Sequence, residues 1–100
     1  MSGPDVLLID FSPDKRAAHR LARLLRDRGL AVARDIIKRD LAGSLAYAKA
    51  SAIRRAVILG SAEQPPETVL VHDLVTGTRR TLPLGAFVQA VAQGDSIWPT

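Results

Sequence analysis

Two stretches of four consecutive apolar residues, Val6-Leu7-Leu8-Ile9 and Ala56-Val57-Ile58-Leu59, constrain this sequence more than anything else in it. A strand with one face in water alternates apolar and polar residues, whereas a strand covered on both faces does not. Each run is too short for a helix that buries itself all round, and Gly60 closes the second. Two central strands of a parallel sheet are the natural reading, and parallel strands need helical crossovers between them.

The intervening residues carry those crossovers. Ser12-Pro13-Asp14 reads as a helix start. Ser12 is a capping residue, Pro13 loses no hydrogen bond at the first helical position, and Asp14 suits the positive end of the dipole. The helix is predicted to run to Arg28, with Gly29 as its stop and Ala17, Leu21, Leu24 and Leu25 on its buried stripe. Leu30 to Ala33 reads as a weak strand that Ile36-Ile37 extends. Asp40 caps a second helix, Leu41 to about Ser51, whose stripe is Leu41, Leu45, Ala48 and Ala52. After the loop marked by Pro65-Pro66, Thr68 to His72 and Arg79 to Leu82 flank Val75-Thr76-Gly77 as a β-hairpin. A last helix, Leu84 to Gln93, buries Leu84, Phe87, Val88 and Val91. The order β-α-β-α-β-β-β-α predicts one three-layer α/β domain over residues 1–93 and a tail over 94–100 that contains Trp98.

Composition removes whole classes of chemistry. There is no Cys, and His19 and His72 are the only histidines, so no metal-ligand spacing is present. Phosphate-cradling glycine loops, the nucleophile elbow and the zinc-protease signature are absent, which predicts no cofactor. His72 sits on a strand without a Ser or carboxylate partner at motif spacing and reads as a structural or edge histidine. His19 lies about 160° from Leu21 on the first helix and reads as solvated. Thr81 to Gly94, the longest uncharged run, has 14 residues and is too short to span a bilayer. No basic-then-apolar pattern opens the chain, so the expectation is a soluble cytoplasmic domain.

Two patterns remain. Residues 14–39 hold nine basic side chains against three acids, a net +6 where the whole chain has +4. That is either a footprint for RNA phosphates or a solvated helix face. The second helix turns Gly43, Ala46, Tyr47 and Ala50 away from its Leu stripe. A solvated face normally carries charge, so these residues are expected to pack on a partner subunit or a neighbouring domain. A phosphorelay receiver is excluded as chemistry. Asp10 is followed by Phe11 rather than a second acid, and Ile58-Leu59-Gly60 offers no Asp to phosphorylate.

Ala56-Val-Ile-Leu-Gly60-Ser-Ala-Glu63 together with Thr68-Val-Leu-Val-His-Asp-Leu74-Val-Thr-Gly77-Thr-Arg-Arg-Thr81 resembles the C-terminal anticodon-binding domain of class IIa aminoacyl-tRNA synthetases. The type is that of histidyl-tRNA synthetase and its non-charging paralogue, the regulatory subunit of ATP phosphoribosyltransferase. The resemblance covers residues 5–93 and implies a mixed five-stranded sheet with helices on both faces and no catalysis in this domain. It places Glu63 at the carboxyl end of a central strand, where a carboxylate can accept hydrogen bonds from base amino or imino groups. Phe11 and Ser12 are expected in the same crevice, with Lys38 and Arg39 as basic contacts.

The synthetases commonly have lysines at the start of the second helix, and Asp40-Leu41-Ala42-Gly43-Ser44 departs from that. The resemblance therefore leans to an accessory domain of the regulatory subunit, in histidine biosynthesis. Its implied partners are the rest of the same protein and a second copy or the phosphoribosyltransferase catalytic subunit. The alternative is a tRNA anticodon-binding domain of the synthetase.

Overall fold

The two apolar runs lie side by side. In the computed structural model, which describes residues 5–11, 16–35, 40–60, 64–65 and 67–94, Val6 pairs in parallel with Arg55 and Asp10 with Leu59. These strands, β1 (Val6–Asp10) and β3 (Arg55–Leu59), are joined to β2 (Val32–Asp35), β4 (Thr68–Asp73) and β5 (Arg79–Pro83). The sheet order is β2-β1-β3-β4-β5. β2 joins β1 in parallel, while β4 and β5 are antiparallel. Helices α1 (Arg16–Asp27), α2 (Leu41–Ala50) and α3 (Leu84–Gln93) complete the chain order read from the sequence. The mixed five-stranded sheet and its helices have the expected α/β architecture.

Side-chain alternation divides the core. Val6 and Leu8 of β1, Val57 and Leu59 of β3, and Val69 and Val71 of β4 point to the face covered by α1 and α3. Leu7, Ile9, Ala56 and Ile58 point to the opposite face, under α2. Edge strand β5 leaves Arg79, Arg80, Thr81 and Pro83 exposed and Leu82 half-buried, a charged edge that discourages further strand pairing.

The buried stripe of α1 is Ala18, Leu21, Ala22 and Leu25, with Ala17 half-buried and Leu24 packed at the margin. The helix is thus rotated slightly from the expected stripe, because the small Ala18 and Ala22 let it sit close to the sheet. Gly29, at φ +85°, ends it as expected. Leu30 N–H donates to the Leu25 carbonyl and Gly29 N–H to that of Arg26. This closing pattern needs a left-handed residue. It also consumes Leu30, so β2 begins at Val32, two residues later than expected. The start expected at Ser12-Pro13-Asp14, the extension at Ile36-Ile37 and the tail residues 95–100 lie outside the described residues.

Asp40 caps α2, its Oδ1 accepting from Gly43 N–H at 2.7 Å. The face against the sheet is Ser44 and Ala48, both fully buried, with Leu45 half-buried. Ala52, expected on that stripe, is exposed at φ +60°, because the helix has already ended at Ala50. In α3 only Phe87 and Val91 are fully buried, and Leu84 and Val88 are half-buried. The hairpin turn forms around Asp73, whose Oδ1 accepts from the N–H groups of Val75 (2.9 Å) and Thr76 (3.2 Å).

Candidate functional site

The first candidate region lies at the carboxyl ends of β1 and β3, where open α/β sheets usually receive ligands. Phe11 N–H donates to the Leu59 carbonyl at 2.9 Å, which fixes the first residue beyond β1 beside the end of β3. The Phe11 ring remains 37% exposed, more than a core aromatic, and offers a stacking surface. Gly60 turns the chain away at φ +70°. Gln64 holds the returning loop: its Nε2 donates to the carbonyls of Ile58 (3.2 Å) and Thr68 (3.1 Å). Of the five residues expected to touch RNA, only Phe11 falls among the described residues; Ser12, Lys38, Arg39 and Glu63 lie outside them. Gln64 was missed by sequence reasoning, because a lone Gln before a proline carries no motif.

The second region is α2. Ala46, Tyr47 and Ala50 are exposed as expected, and Gly43 is half-buried. Tyr47 is 44% exposed, and Lys49 is the sole charge within the helix. These residues share a face because they recur at three- and four-residue spacing.

The third region appears only in three dimensions. Among the described residues, no helix covers β4 and β5 on the α2 side of the sheet. Thr68, Leu70 and His72 of β4 and Arg79, Thr81 and Pro83 of β5 form that floor. His72, expected as a structural or an edge histidine, stands directly opposite Arg79 on an interior strand. Its Nδ1 is buried without a hydrogen-bond partner. Burial, then the positive charges of Arg79 and Lys49, lower its pKa below the ordinary imidazole value; Asp73 opposes them. A neutral imidazole opposite a guanidinium can exchange a hydrogen bond with a polar, negatively charged ligand. No sequence signal marked this, because the three residues come from separate elements.

The basic segment divides as well. Arg26 Nη2 donates to the Val32 carbonyl at 3.1 Å, and Arg28 Nε to that of Val91 at 2.7 Å. Arg34 Nη1 lies 3.2 Å from Nδ1 of the exposed His19. Arg26 and Arg28 thus bind backbone carbonyls and Arg34 meets His19 at the surface, while Arg16, Arg20 and Arg23 form an outer stripe on α1. Among the described residues, no group of three or more His, Asp or Glu side chains is placed to hold a metal ion. No helix among them is long and apolar enough to cross a membrane.

No family model matches the chain. An ATP phosphoribosyltransferase regulatory subunit of Syntrophotalea carbinolica is 42% identical over 91 residues, covering 91% of this chain and 20% of that protein. A histidine–tRNA ligase of Thermotoga maritima is 45% identical over 58 residues, covering 58% of this chain and 14% of that protein. The chain therefore spans about a fifth or less of the curated relatives it matches. Among solved structures, histidyl-tRNA synthetase from Nostoc sp. PCC 7120 superposes with a TM-score of 0.73 at 21% identity, over 93% of this chain and 23% of that one. At that identity the superposition speaks for the fold.

Proposed function

We propose that this chain, an anticodon-binding-type domain of the histidyl-tRNA-synthetase-like kind, serves as a non-catalytic accessory module of an ATP phosphoribosyltransferase regulatory subunit. It makes and breaks no covalent bond. It works in the cytoplasm as a rigid adaptor between the rest of its own protein and a phosphoribosyltransferase assembly. The observation that carries this reading is the outward face of α2. Ala46, Tyr47 and Ala50 form a small-residue surface with one aromatic, which suits close approach of a protein and offers RNA no cation. The helix opens on the acid Asp40, which also disfavours a phosphate backbone.

A second reading rests on His72 and Arg79 of the β4–β5 floor, on which the charge of Lys49 from α2 also acts. Positive charge around an imidazole suits an anionic ligand, and Phe11, toward the opposite end of the strands, offers a separate stacking surface, so tRNA anticodon binding is the alternative. Electrophoretic titration of the intact protein with histidine tRNA at two salt concentrations separates the two. The accessory reading predicts no specific shift at either concentration. Tight, specific binding with a steep salt slope contradicts it and establishes the alternative.

A further inference from the structure

The outer surface of the α1–α3 layer holds a feature that neither reading uses. The two helices are pinned together at their C-terminal ends, where the Arg28 guanidinium donates to the carbonyls of Val91 and Ala92. Between the N-terminal half of α1 and the length of α3 from Leu84 to Ala92 lies a groove of about 550 Å³. Its described lining includes Ala17 from α1 and Leu84, Gly85 and Val88 from α3, with Arg16 and Arg20 at the rim. No acidic side chain is among the described residues that line it.

We propose that this groove docks an acidic amphipathic helix of a protein partner. Helical walls spend their backbone hydrogen bonds internally, so an added β-strand finds no ladder to join. A polyproline segment or stacked bases need aromatic rings, and the described lining residues include none. The wall from Leu84 to Ala92 rises about 12 Å, which matches two turns of a helix presenting apolar residues at i, i+4 and i+7. Guanidinium groups at the rim complement carboxylates beside those residues. The Arg28 clamp fixes the helices before any partner arrives, which reduces the ordering cost of docking.

The test uses this chain and a designed helical peptide of about 16 residues, with Leu at i, i+4 and i+7 and Glu beside them. Binding is read from NMR shifts of the Val88 and Leu84 methyls and the Gly85 amide. The acidic peptide is expected to shift these signals, and Arg20→Glu to weaken binding about tenfold. A twin with Lys in place of Glu is expected to bind the native chain weakly and to regain affinity on Arg20→Glu. Gly85→Trp is expected to block the groove and still fold, since a Cβ at Gly85 meets no atom within 4 Å. Equal binding of the acidic and basic peptides overturns the proposal. Shifts confined to the β4–β5 floor, full affinity in Gly85→Trp, or displacement of the peptide by inorganic phosphate or a short RNA also overturn it.

Discussion

The two faces of the sheet differ in how much helix covers them. On one, α1 and α3 lie together and bury Leu21, Leu25, Phe87 and Val91 against three strands. On the other, α2 contributes Ala48 and half-buried Leu45, and among the described residues no second helix joins it. The first face stabilises the domain through large apolar side chains. The second packs Leu7, Ile9, Ile53 and Ile58 beneath the small Ser44 and Ala48 of α2, carries the unpartnered His72 nitrogen and presents the uncharged side of α2. The two layers are thus built differently, so substitutions on each side should fail in different ways.

The largest effect is expected from Phe87→Ala. The side chain is fully buried in the α1–α3 layer, so urea denaturation should show a loss of about 3–5 kcal/mol. A loss below about 1 kcal/mol would mean that this layer does not carry the stability assigned to it. Ala48→Leu tests the thin face from the opposite direction. Ala48 is fully buried under α2, and the added volume should cost about 1–3 kcal/mol by the same measurement. Asp40→Ala removes the cap of α2 and should cost about 1 kcal/mol, with amide exchange quickening first at Gly43.

The smallest effect is a pH dependence. The Asp73 carboxyl is held below its ordinary 3.8 chiefly by the backbone N–H of Thr76, with Val75 and Arg55 adding to it against desolvation. A depressed carboxylate favours the fold above the unfolded value, and that contribution is lost as pH falls through the folded one. His72 is depressed by burial, so the fold favours its neutral form. Its contribution is complete above the ordinary 6.5 and is lost as pH falls through the folded value. Denaturation midpoints should therefore decline in two stages on acidification, below 6.5 and then below 3.8. His72→Gln should flatten the first stage and Asp73→Asn the second. A single stage that neither substitution alters would contradict this assignment.

Much of the frame was legible in the sequence. The runs at Val6–Ile9 and Ala56–Leu59 announced the central strands, Gly29 ended α1, Asp40 capped α2, and Gly77 marked a hairpin. These features are local: an apolar run, a positive φ, a side-chain cap. Ser44 was not legible, because periodicity counts apolar residues and Ser44 is polar yet fully buried. Nor was His72, whose position between Arg79 and Lys49 depends on β4–β5 register and on where α2 lies. Among the proposed contacts, Phe11 and the α2 residues have described positions. Ser12 and Glu63 rest on the motif resemblance, and Lys38 and Arg39 on that and on the basic charge of residues 14–39.

The assignment of α2 as a protein contact is tested most directly by a spin label at Ala46, measured in the isolated chain and again in a complete regulatory subunit assembled with its phosphoribosyltransferase. The label should be mobile in the first and immobilised in the second. Equal mobility in both would contradict the adaptor role.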